Sequence, residues 1–388
     1  MRLLFLTSRV PYPIEKGDKL RVFNFIKEMS KYHEVYLFAI DESNTSDENI
    51  QVLKQYCKSV EIFPISKFDI ACNIVTGIFK GLPLQVAFYT NKAGIKAFNN
   101  FCKDIHPDHI FCQLLRVTEY VKDICYPNKT IDIQDTMSVN IARSNKKRSF
   151  IVRPIFNLEE KRLKKYEYEL FNLYNNKIII TESDRILYPH PRRNEIHIVP
   201  NGVDYEYFTH DTEVNKDIDL VFTGNMGYKP NIDAAFYLIE KILPIVYNVI
   251  PDIKVAIVGT NPPKSLVNKA NKNIEVTGWV KSVKDYYSRA KVFIAPMRIG
   301  TGLQNKLLEA MAMNLPCITT PLANNSLKAT DKTEILIGND EVQLADSIIN
   351  LLKDKILNDT IAKNGNLFVR STYNWQTVGE QINRIITT

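Results

Sequence analysis

The sequence of 388 residues predicts an α/β protein with two Rossmann-like, doubly wound domains in tandem. Three observations lead to this fold class: the apolar runs are rich in Val, Ile and Phe, they are continuous rather than alternating, and helical patterns separate them. Continuous apolar strands are typical of sheets covered on both faces, and intervening helices are the crossovers that parallel strands need. At about 150 residues per domain, the length predicts two or three domains.

The first series of predicted strands opens with the apolar run at residues 3–6. This run is too short for a signal peptide, and Arg9, Pro11 and Pro13 stand where a small-residue cleavage site should be, so we interpret it as a buried strand. The other strands of this series are predicted at 34–39, 109–112, 130–133, 177–181 and 196–199. The second series is predicted at 219–223, 254–258, 274–276, 292–295, 316–319 and 334–337.

The polar stretch at residues 206–216 separates the two series and is the predicted linker. It divides the chain into an N-terminal domain over residues 1–208 and a second domain over residues 209–368. In open α/β sheets, ligands bind at the carboxyl ends of the strands, where loops and helix N termini present unpaired backbone donors. We therefore expect the two domains to face each other across a cleft that holds the functional site.

The composition excludes several classes of protein. With 45% apolar and 24% charged residues, the chain is neither disordered nor fibrous, and no uninterrupted apolar stretch of about 18 residues offers a membrane span. The six cysteines form no Cys-x-x-Cys pair and have no histidine cluster nearby, which argues against a zinc site or a disulfide framework. We predict a cytoplasmic protein without a bound metal.

The net charge of +7 is concentrated in one segment. Residues 143–165 contain nine basic and two acidic side chains, an excess equal to that of the whole chain. One hypothesis is that this segment docks on an anionic membrane at the inner face of the plasma membrane, as a peripheral protein would. The alternative is a solvated helix face. Nucleic acid is not expected as a partner, because no recognised binding module accompanies the charge.

The loop after the fourth predicted strand of the second series carries the strongest functional pattern. Gly300 and Gly302 let backbone N–H groups approach an anion at the N terminus of the helix that follows. Lys306 and Glu309 lie three residues apart on one face of that helix. Together with Arg298 they provide two cations and one carboxylate, which suits a nucleoside diphosphate with its ribose. The alternative is an ordinary surface Lys–Glu pair after a solvated turn.

In combination, several motifs resemble those of family-4 retaining glycosyltransferases, which have the GT-B fold, over nearly the whole chain. Within that family the chain is similar to bacterial sugar transferases of exopolysaccharide and capsule clusters, whose opening loop is similar to residues 11–13 with Gly17, Asp18 and Arg21. The resemblance rests on residues 200–204 (PNGVD), 222–224 with 229–231, 257–259, 276–280 and, above all, 306–312 (KLLEAMA).

The resemblance implies an activity. Such enzymes transfer a sugar from a nucleotide-sugar donor to a hydroxyl of a glycan or polyprenyl-linked acceptor, with retention of anomeric configuration and without a metal or cofactor. The difficult step is departure of the diphosphate, and each preorganised donor aimed at its new charge supplies about 3–4 kcal/mol. The same resemblance implies that the tail, residues 369–388, packs back on the first domain.

The resemblance also implies the donor site. Arg298 and Lys306 match the positions that bind the diphosphate and take part in catalysis, and Lys229 is a weaker candidate. Glu309 matches the carboxylate that accepts hydrogen bonds from the ribose hydroxyls. The other predicted donor-binding residues are Gly17, Gly224, Gly278, Gly300, Thr301, Gly302 and Leu303.

One position departs from the family pattern. The first of the two glutamates usual in the family falls at Thr301, which cannot accept hydrogen bonds from two sugar hydroxyls as a carboxylate does. This leaves a catalytically silent, nucleotide-binding partner subunit as an alternative function. A second alternative is a nucleotide-sugar 2-epimerase, which has the same architecture but needs carboxylates and histidines for proton transfer, and those are sparse here.

Candidate acceptor residues follow strands of the first series. Asp135 is predicted to orient the acceptor hydroxyl as a further catalytic residue, with a helix N-cap as the alternative. Gln113 and Arg116 are predicted to contact the acceptor. Arg21 is predicted either to add charge to the acceptor site or to cap a helix.

Overall fold

The structure is a computed structural model that describes residues 1–124, 128–145, 150, 152–209, 214–300 and 302–388. The chain divides into two compact units: Met1–Pro200 with Trp375–Thr388, and Asn201–Asn374. Each unit contains a parallel sheet with helices between the strands, which confirms the predicted α/β class with two Rossmann-like domains. Among the described residues, every helix is too short or too polar to cross a bilayer.

The first unit contains a seven-stranded parallel sheet in the order β3-β2-β1-β4-β5-β6-β7. Its strands are β1 (Arg2–Thr7), β2 (Glu34–Asp41), β3 (Ser59–Pro64), β4 (His109–Gln113), β5 (Lys129–Gln134), β6 (Asn176–Ile179) and β7 (His197–Ile198). Its helices begin with α1 (Gly17–Met29), α2 (Asp47–Lys54), α3 (Lys67–Phe79), α4 (Leu84–Tyr89), α5 (Lys92–Ile105), α6 (Met137–Asn145), α7 (Arg153–Leu170) and α8 (Glu182–Leu187). Short 3₁₀ turns cover Leu115–Tyr120, Phe171–Leu173 and Arg193–Glu195.

The second unit contains a six-stranded parallel sheet in the order β10-β9-β8-β11-β12-β13. Its strands are β8 (Ile218–Thr223), β9 (Val255–Val258), β10 (Ile274–Val276), β11 (Ala290–Ala295), β12 (Cys317–Thr319) and β13 (Leu336–Ile337). Its helices are α9 (Lys229–Tyr237), α10 (Leu243–Tyr247), α11 (Lys264–Val267), α12 (Val283–Arg289), α13 (Asn305–Ala312), α14 (Pro321–Leu327), α15 (Glu341–Lys353) and α16 (Lys355–Thr372). A π-helical turn, Leu238–Ile242, joins α9 to α10.

The last helix, α17 (Trp375–Thr387), belongs to the first unit although the second unit precedes it in the chain. The Trp375 ring packs edge-on against Phe25 of α1, with ring centroids 6.0 Å apart. Gly379 lies so close to Glu28 that a Cβ there would meet its side chain at 2.7 Å. The absence of a side chain at Gly379 therefore lets α17 lie directly on α1.

The division of the chain differs by a few residues from the predicted boundaries at 208 and 369. Residues 201–208 belong to the second unit because the Val203 N–H donates to Tyr373 O at 2.7 Å and Phe208 packs against Tyr287. The end of α16 stays with the second unit for the same reason, and the division falls between Asn374 and Trp375.

The core of the first unit contains a carboxyl group without a charged partner. Glu167 of α7 is fully buried, Oε1 accepts a hydrogen bond from the Ser138 backbone N–H at 3.2 Å, and Oε2 has no hydrogen-bond partner. Burial raises the pKa of Glu167 to about 7, because the charged form loses its hydration. The ionised carboxylate at this position therefore destabilises the folded state.

We expect Glu167→Gln to stabilise the protein at alkaline pH. Since the ordinary pKa of 4.5 is raised to about 7 on folding, the folded state holds the proton more tightly, and its stability falls as pH rises through this window. The neutral amide avoids that loss, so we expect a gain of about 1–3 kcal/mol at pH 8 that vanishes near the ordinary pKa. Denaturant unfolding at several pH values measures it, with Glu169→Gln on the exposed face of α7 as the control. A gain that does not change with pH contradicts this account of Glu167.

Candidate active site

In each unit the strand order reverses at one point, and loops from the two central strands diverge there. In the first unit the reversal lies between β1 and β4, and in the second unit between β8 and β11. A crevice at the carboxyl ends of such strands is where open α/β sheets bind ligands. We therefore expect a ligand-binding site among the residues that follow these four strands.

Lys306 of α13 reaches the loop after β8. Its ammonium donates a hydrogen bond to Asn231 Oδ1 at 2.5 Å and lies 4.8 Å from the centroid of the Phe222 ring. A Cβ on Gly224 would stand 3.1 Å from Nζ, so the cation touches the backbone at the end of β8. Burial lowers the pKa of Lys306 to about 8, and the Glu309 charge opposes that shift. The β8–β11 reversal thus holds a cation whose hydrogen-bond partner is uncharged.

Two glycines let the loops after β8 and β9 approach each other. A Cβ on Gly259 would stand 1.7 Å from Gly224 O, and Gly259 has φ +149°, a conformation that side chains disfavour. Asn231 closes the same corner, because its Nδ2 donates to Asn225 O at 2.9 Å while its Oδ1 accepts from Lys306. The backbone around the ammonium is therefore fixed by close contacts.

Glu309 lies one turn beyond Lys306 on α13. The Tyr287 hydroxyl donates to Glu309 Oε2 at 3.0 Å, and the Thr223 hydroxyl is 2.8 Å from the Tyr287 hydroxyl. Burial raises the pKa of Glu309 above its ordinary value, while the Tyr287 bond and the Lys306 charge lower it. One carboxylate oxygen is thus held by tyrosine, and the carboxylate has capacity for a further donor.

Arg298, which the sequence predicts to bind the diphosphate, has a carboxylate partner in the structure. It donates two hydrogen bonds to Asp233 of α9, at 3.1 and 2.9 Å, and stacks 4.2 Å from the Tyr237 ring centroid. The planar fork of an arginine is well matched to one carboxylate, so this pair holds the loop after β11 against α9. Lys306 is the cation that faces the end of β8, and the role of Arg298 at the diphosphate stays a prediction.

The other predicted donor-binding residues occupy different positions around these loops. Gly300 has φ +96° beside Pro230, Leu303 packs its side chain against the core, and Gly302 and Gly278 face open space. Lys229 is exposed in the first turn of α9. Thr301 lies outside the described residues.

The sequence interpretation gave no role to Trp279, which follows β10. Its side chain is 74% exposed, next to Gly278. The Gly259 N–H donates to Thr277 Oγ1 at 3.1 Å, which ties this loop to the glycine corner at Lys306. An exposed tryptophan beside a cationic corner presents an aromatic face suited to a nucleobase. The exposure of Trp279 makes it a candidate for contact with a base, and no local sequence pattern encodes that exposure.

In the first unit, a polar cluster lies at the β1–β4 reversal. Arg9, after β1, donates to Asp18 Oδ2 at 2.6 Å and to Glu42 Oε1 at 3.2 Å. Arg116, after β4, lies 3.7 Å from the same Asp18 oxygen. The sequence predicted Arg116 but not Arg9 or Glu42, because their loops show no motif. Predicted Gly17 precedes Asp18 and is exposed at the start of α1.

Two predicted acceptor residues are buried instead, which corrects their assignment. Arg21 and Asp132 form an ion pair at 2.8 Å with both side chains fully buried, and the guanidinium also donates to Val199 O and Pro200 O. The Gln113 amide donates to Asp18 O at 2.5 Å and is also buried. Arg21 therefore anchors the end of the first unit to α1, and Gln113 positions the first turn of that helix.

Asp135 lies just past the end of β5, where the sequence predicted a catalytic residue. Burial, followed by the charge of Asp184, raises the pKa of Asp135 to about 6, and Arg116 opposes the shift. The group is ionised at neutral pH but close to its titration range. A carboxylate of this kind is suited to exchange a proton with an acceptor hydroxyl.

Within the described part of the chain, no group of three or more His, Cys, Asp or Glu side chains is arranged to hold a metal ion. Asp217 and Asp219, which flank the start of β8, form ion pairs with Arg289 and Lys291, each at 2.7 Å.

Comparison with known proteins points to one class. Residues 217–354 match the model of a family described as glycosyl transferases group 1. HepE of Anabaena, solved in complex with UDP, superposes with a TM-score of 0.69 and 14% identity, covering 100% of both chains. The architecture is that of GT-B glycosyltransferases, and the family match covers residues within the second unit.

Two sequence relatives add detail. An uncharacterised 44.6 kDa protein in the cps region of Klebsiella pneumoniae is 24% identical over 98% of this chain and 98% of its own length. A GDP-mannose-dependent monoacylated α-(1-6)-phosphatidylinositol monomannoside mannosyltransferase of Corynebacterium glutamicum is 25% identical over 48% of this chain and 55% of its own length.

We expect Arg21→Met to destabilise the protein, because it leaves the buried Asp132 carboxylate without its partner. Breaking such a pair costs about 3–5 kcal/mol, and denaturant unfolding measures the loss. Arg289→Met is the control, because its ion pair with Asp217 is exposed and such pairs contribute only about 0–1 kcal/mol. An Arg21→Met protein of unchanged stability contradicts the anchoring role.

Proposed function

We propose that the protein is a retaining, metal-independent glycosyltransferase of surface-polysaccharide biosynthesis. It transfers a sugar from a nucleotide-sugar donor to a glycan or polyprenyl-linked acceptor and needs no cofactor. The observation that carries the proposal is the Lys306 ammonium at the end of β8, beside the Glu309 carboxylate that Tyr287 orients.

The donor site follows from the charges around α13. Lys306 is mostly protonated at neutral pH, since its pKa is about 8, and a bound diphosphate favours the protonated form further. Its ammonium faces the diphosphate and stabilises the charge that develops as the sugar departs. Glu309 accepts hydrogen bonds from the ribose hydroxyls, and the Trp279 ring stacks on the base. HepE binds UDP and the mannosyltransferase uses GDP-mannose, which supports a nucleotide sugar as the donor class.

The acceptor site is assigned to the polar cluster of the first unit. Arg9, Asp18, Glu42 and Arg116 offer donors and acceptors for sugar hydroxyls, and Asp135 is the carboxylate proposed to orient the reacting hydroxyl. The relative in a cps region supports a polysaccharide acceptor. Retention rests on the resemblance of residues 306–312 to the family-4 motif.

The proposal places the protein in the cytoplasm, at the inner face of the plasma membrane. Within the basic segment 143–165, α7 exposes Arg153, Lys161, Lys164 and Lys165, while Glu159 is buried. Buried Glu159 accepts from the Leu84 N–H at 2.8 Å, so its carboxylate is turned away from the exposed lysines. This charge suits an anionic lipid surface.

We expect Lys306→Ala to lower kcat/KM for sugar transfer about 100–1000-fold, because one preorganised donor to the diphosphate is lost. Release of UDP or GDP in the presence of acceptor reports transfer, and calorimetric titration with UDP and GDP reports donor binding. Lys363→Ala, on the exposed face of α16, is the control and keeps wild-type values.

Glu309→Gln is expected to weaken nucleotide binding while the fold is kept.

Three results contradict the proposal in different ways. If Lys306→Ala binds UDP or GDP with wild-type affinity, the assignment of the donor site is wrong. Isomerisation of a nucleotide sugar without acceptor assigns the protein to the epimerase alternative. Tight nucleotide binding without diphosphate release, for all acceptors tested, favours the silent subunit. Product anomeric configuration, determined by NMR, tests retention, and full activity in excess EDTA is expected for a metal-independent enzyme.

A further inference from the structure

Helix α3 of the first unit exposes an apolar face to solvent. Phe68, Val75, Ile78 and Phe79 are 77%, 54%, 45% and 87% exposed, and Cys72 is exposed between them. Because residues three, four and seven apart share one face of a helix, these side chains form a single stripe along α3. Isolated exposed apolar residues are common, but a contiguous stripe with a phenylalanine at each end marks an interaction surface.

The opposite face of α3 is firmly packed, so the exposed stripe is not a sign of a loosely attached helix. A Cβ on Gly77 would stand 2.2 Å from the Ala87 Cβ, which shows how closely α3 lies on α4. The Asn73 amide is buried and donates to Phe88 O at 3.3 Å. Ser66 and Asp69 form a reciprocal capping box at the N terminus. The stripe is therefore presented by a fixed helix.

Helix α7 extends the surface. The Arg162 guanidinium donates to Ile78 O at 3.4 Å and to Leu82 O at 3.3 Å, which ties the end of α3 to the middle of α7. Ile155 and Leu158, in the preceding turns of α7, are 57% and 50% exposed. The helix next to α3 therefore exposes two further apolar side chains.

Basic residues surround the apolar stripe. Lys67 and Lys80 are exposed at the two ends of α3. A shallow pocket of about 250 Å³ beside the helix is lined by Lys80 and by Lys92, the first residue of α5. Asp69, the acidic residue of α3, also lines this pocket and forms the capping box with Ser66, so the three lysines outnumber one carboxylate. An apolar strip within a cationic rim is complementary to acyl chains beneath anionic headgroups.

We propose that the outer face of α3 docks on an anionic lipid bilayer, with Phe68 and Phe79 inserted among the acyl chains and the rim lysines at the headgroups. A second copy of this chain fits the surface less well, because it would bring two cationic rims together. The inference deepens the proposed function by naming the surface that brings the enzyme to a lipid-linked acceptor. It assigns insertion to α3, a helix outside the basic segment 143–165.

The test uses the full chain and vesicles of phosphatidylcholine with 30 mol% phosphatidylglycerol (about 0.1 M salt). We expect Phe68→Ser with Phe79→Ser to lower vesicle partitioning at least about tenfold, because two large apolar side chains no longer leave water. The matched control is Ile356→Ser with Leu367→Ser on α16, whose side chains are 80% and 57% exposed. The control is expected to partition as wild type does, and vesicles without the anionic lipid are expected to bind wild type weakly.

Cys72 gives a direct readout of insertion, because it is exposed in the middle of the stripe while Cys57, Cys102, Cys112 and Cys317 are buried. With Cys125→Ser as background, an environment-sensitive fluorophore on Cys72 is expected to shift to the blue on addition of anionic vesicles. Quenching by nitroxide-labelled acyl chains then reports depth.

Several outcomes overturn the inference. The inference is wrong if the Phe68→Ser/Phe79→Ser variant and wild type partition equally onto vesicles. It is also wrong if vesicle binding does not depend on the content of anionic lipid. Concentration-dependent dimers that the same variant abolishes would show that the face contacts a second copy. Transfer to a water-soluble acceptor is expected to stay at the wild-type rate in this variant. If the transferase proposal is wrong, transfer is absent in wild type and in every variant. If only this inference is wrong, the contradiction appears in vesicle partitioning alone.

Discussion

The candidate site of the second unit is organised around a partly buried lysine ammonium that lies against neutral groups. Lys306 has an amide oxygen and an aromatic ring as neighbours, and its hydrogen-bond partner is uncharged. A cation in such a place is costly unless an anion completes it. The neighbouring residues support this arrangement. Gly224 and Gly259 let the backbone approach, the Asn231 amide donates to Asn225 O, and the Tyr287 hydroxyl donates to Glu309.

The first unit satisfies its charges in two different ways. Arg21 and Asp132 are fully buried and neutralise each other, so they contribute to the fold and offer nothing to a ligand. Arg9, Asp18 and Arg116 lie at the strand ends and remain partly exposed, so they can exchange partners with a polar ligand. Burial, rather than residue type, separates the anchoring arginine from the two arginines that we propose contact the acceptor.

The sequence predicted every strand of the two sheets except one at a sheet edge. Eleven of the observed strands coincide with predicted apolar runs, and the two-residue β7 falls within the run at 196–199. The missed strand, β3, lies at the sheet edge, and each of its residues is partly or fully exposed. Its sequence carries no continuous apolar signal, because a partly solvated edge does not require one.

The sequence by itself determined the α/β class, the two sheets and the helix that carries Lys306 and Glu309, because these depend on apolar continuity and on spacing within one element. Only the tertiary structure decided which charges meet. Arg298 pairs with Asp233, 65 residues away in the sequence, and Arg21 pairs with Asp132, 111 residues away. No local pattern encodes either pair. The exposure of Trp279 and of the α3 stripe has the same origin, since the packing of distant segments decides which apolar side chains remain in water.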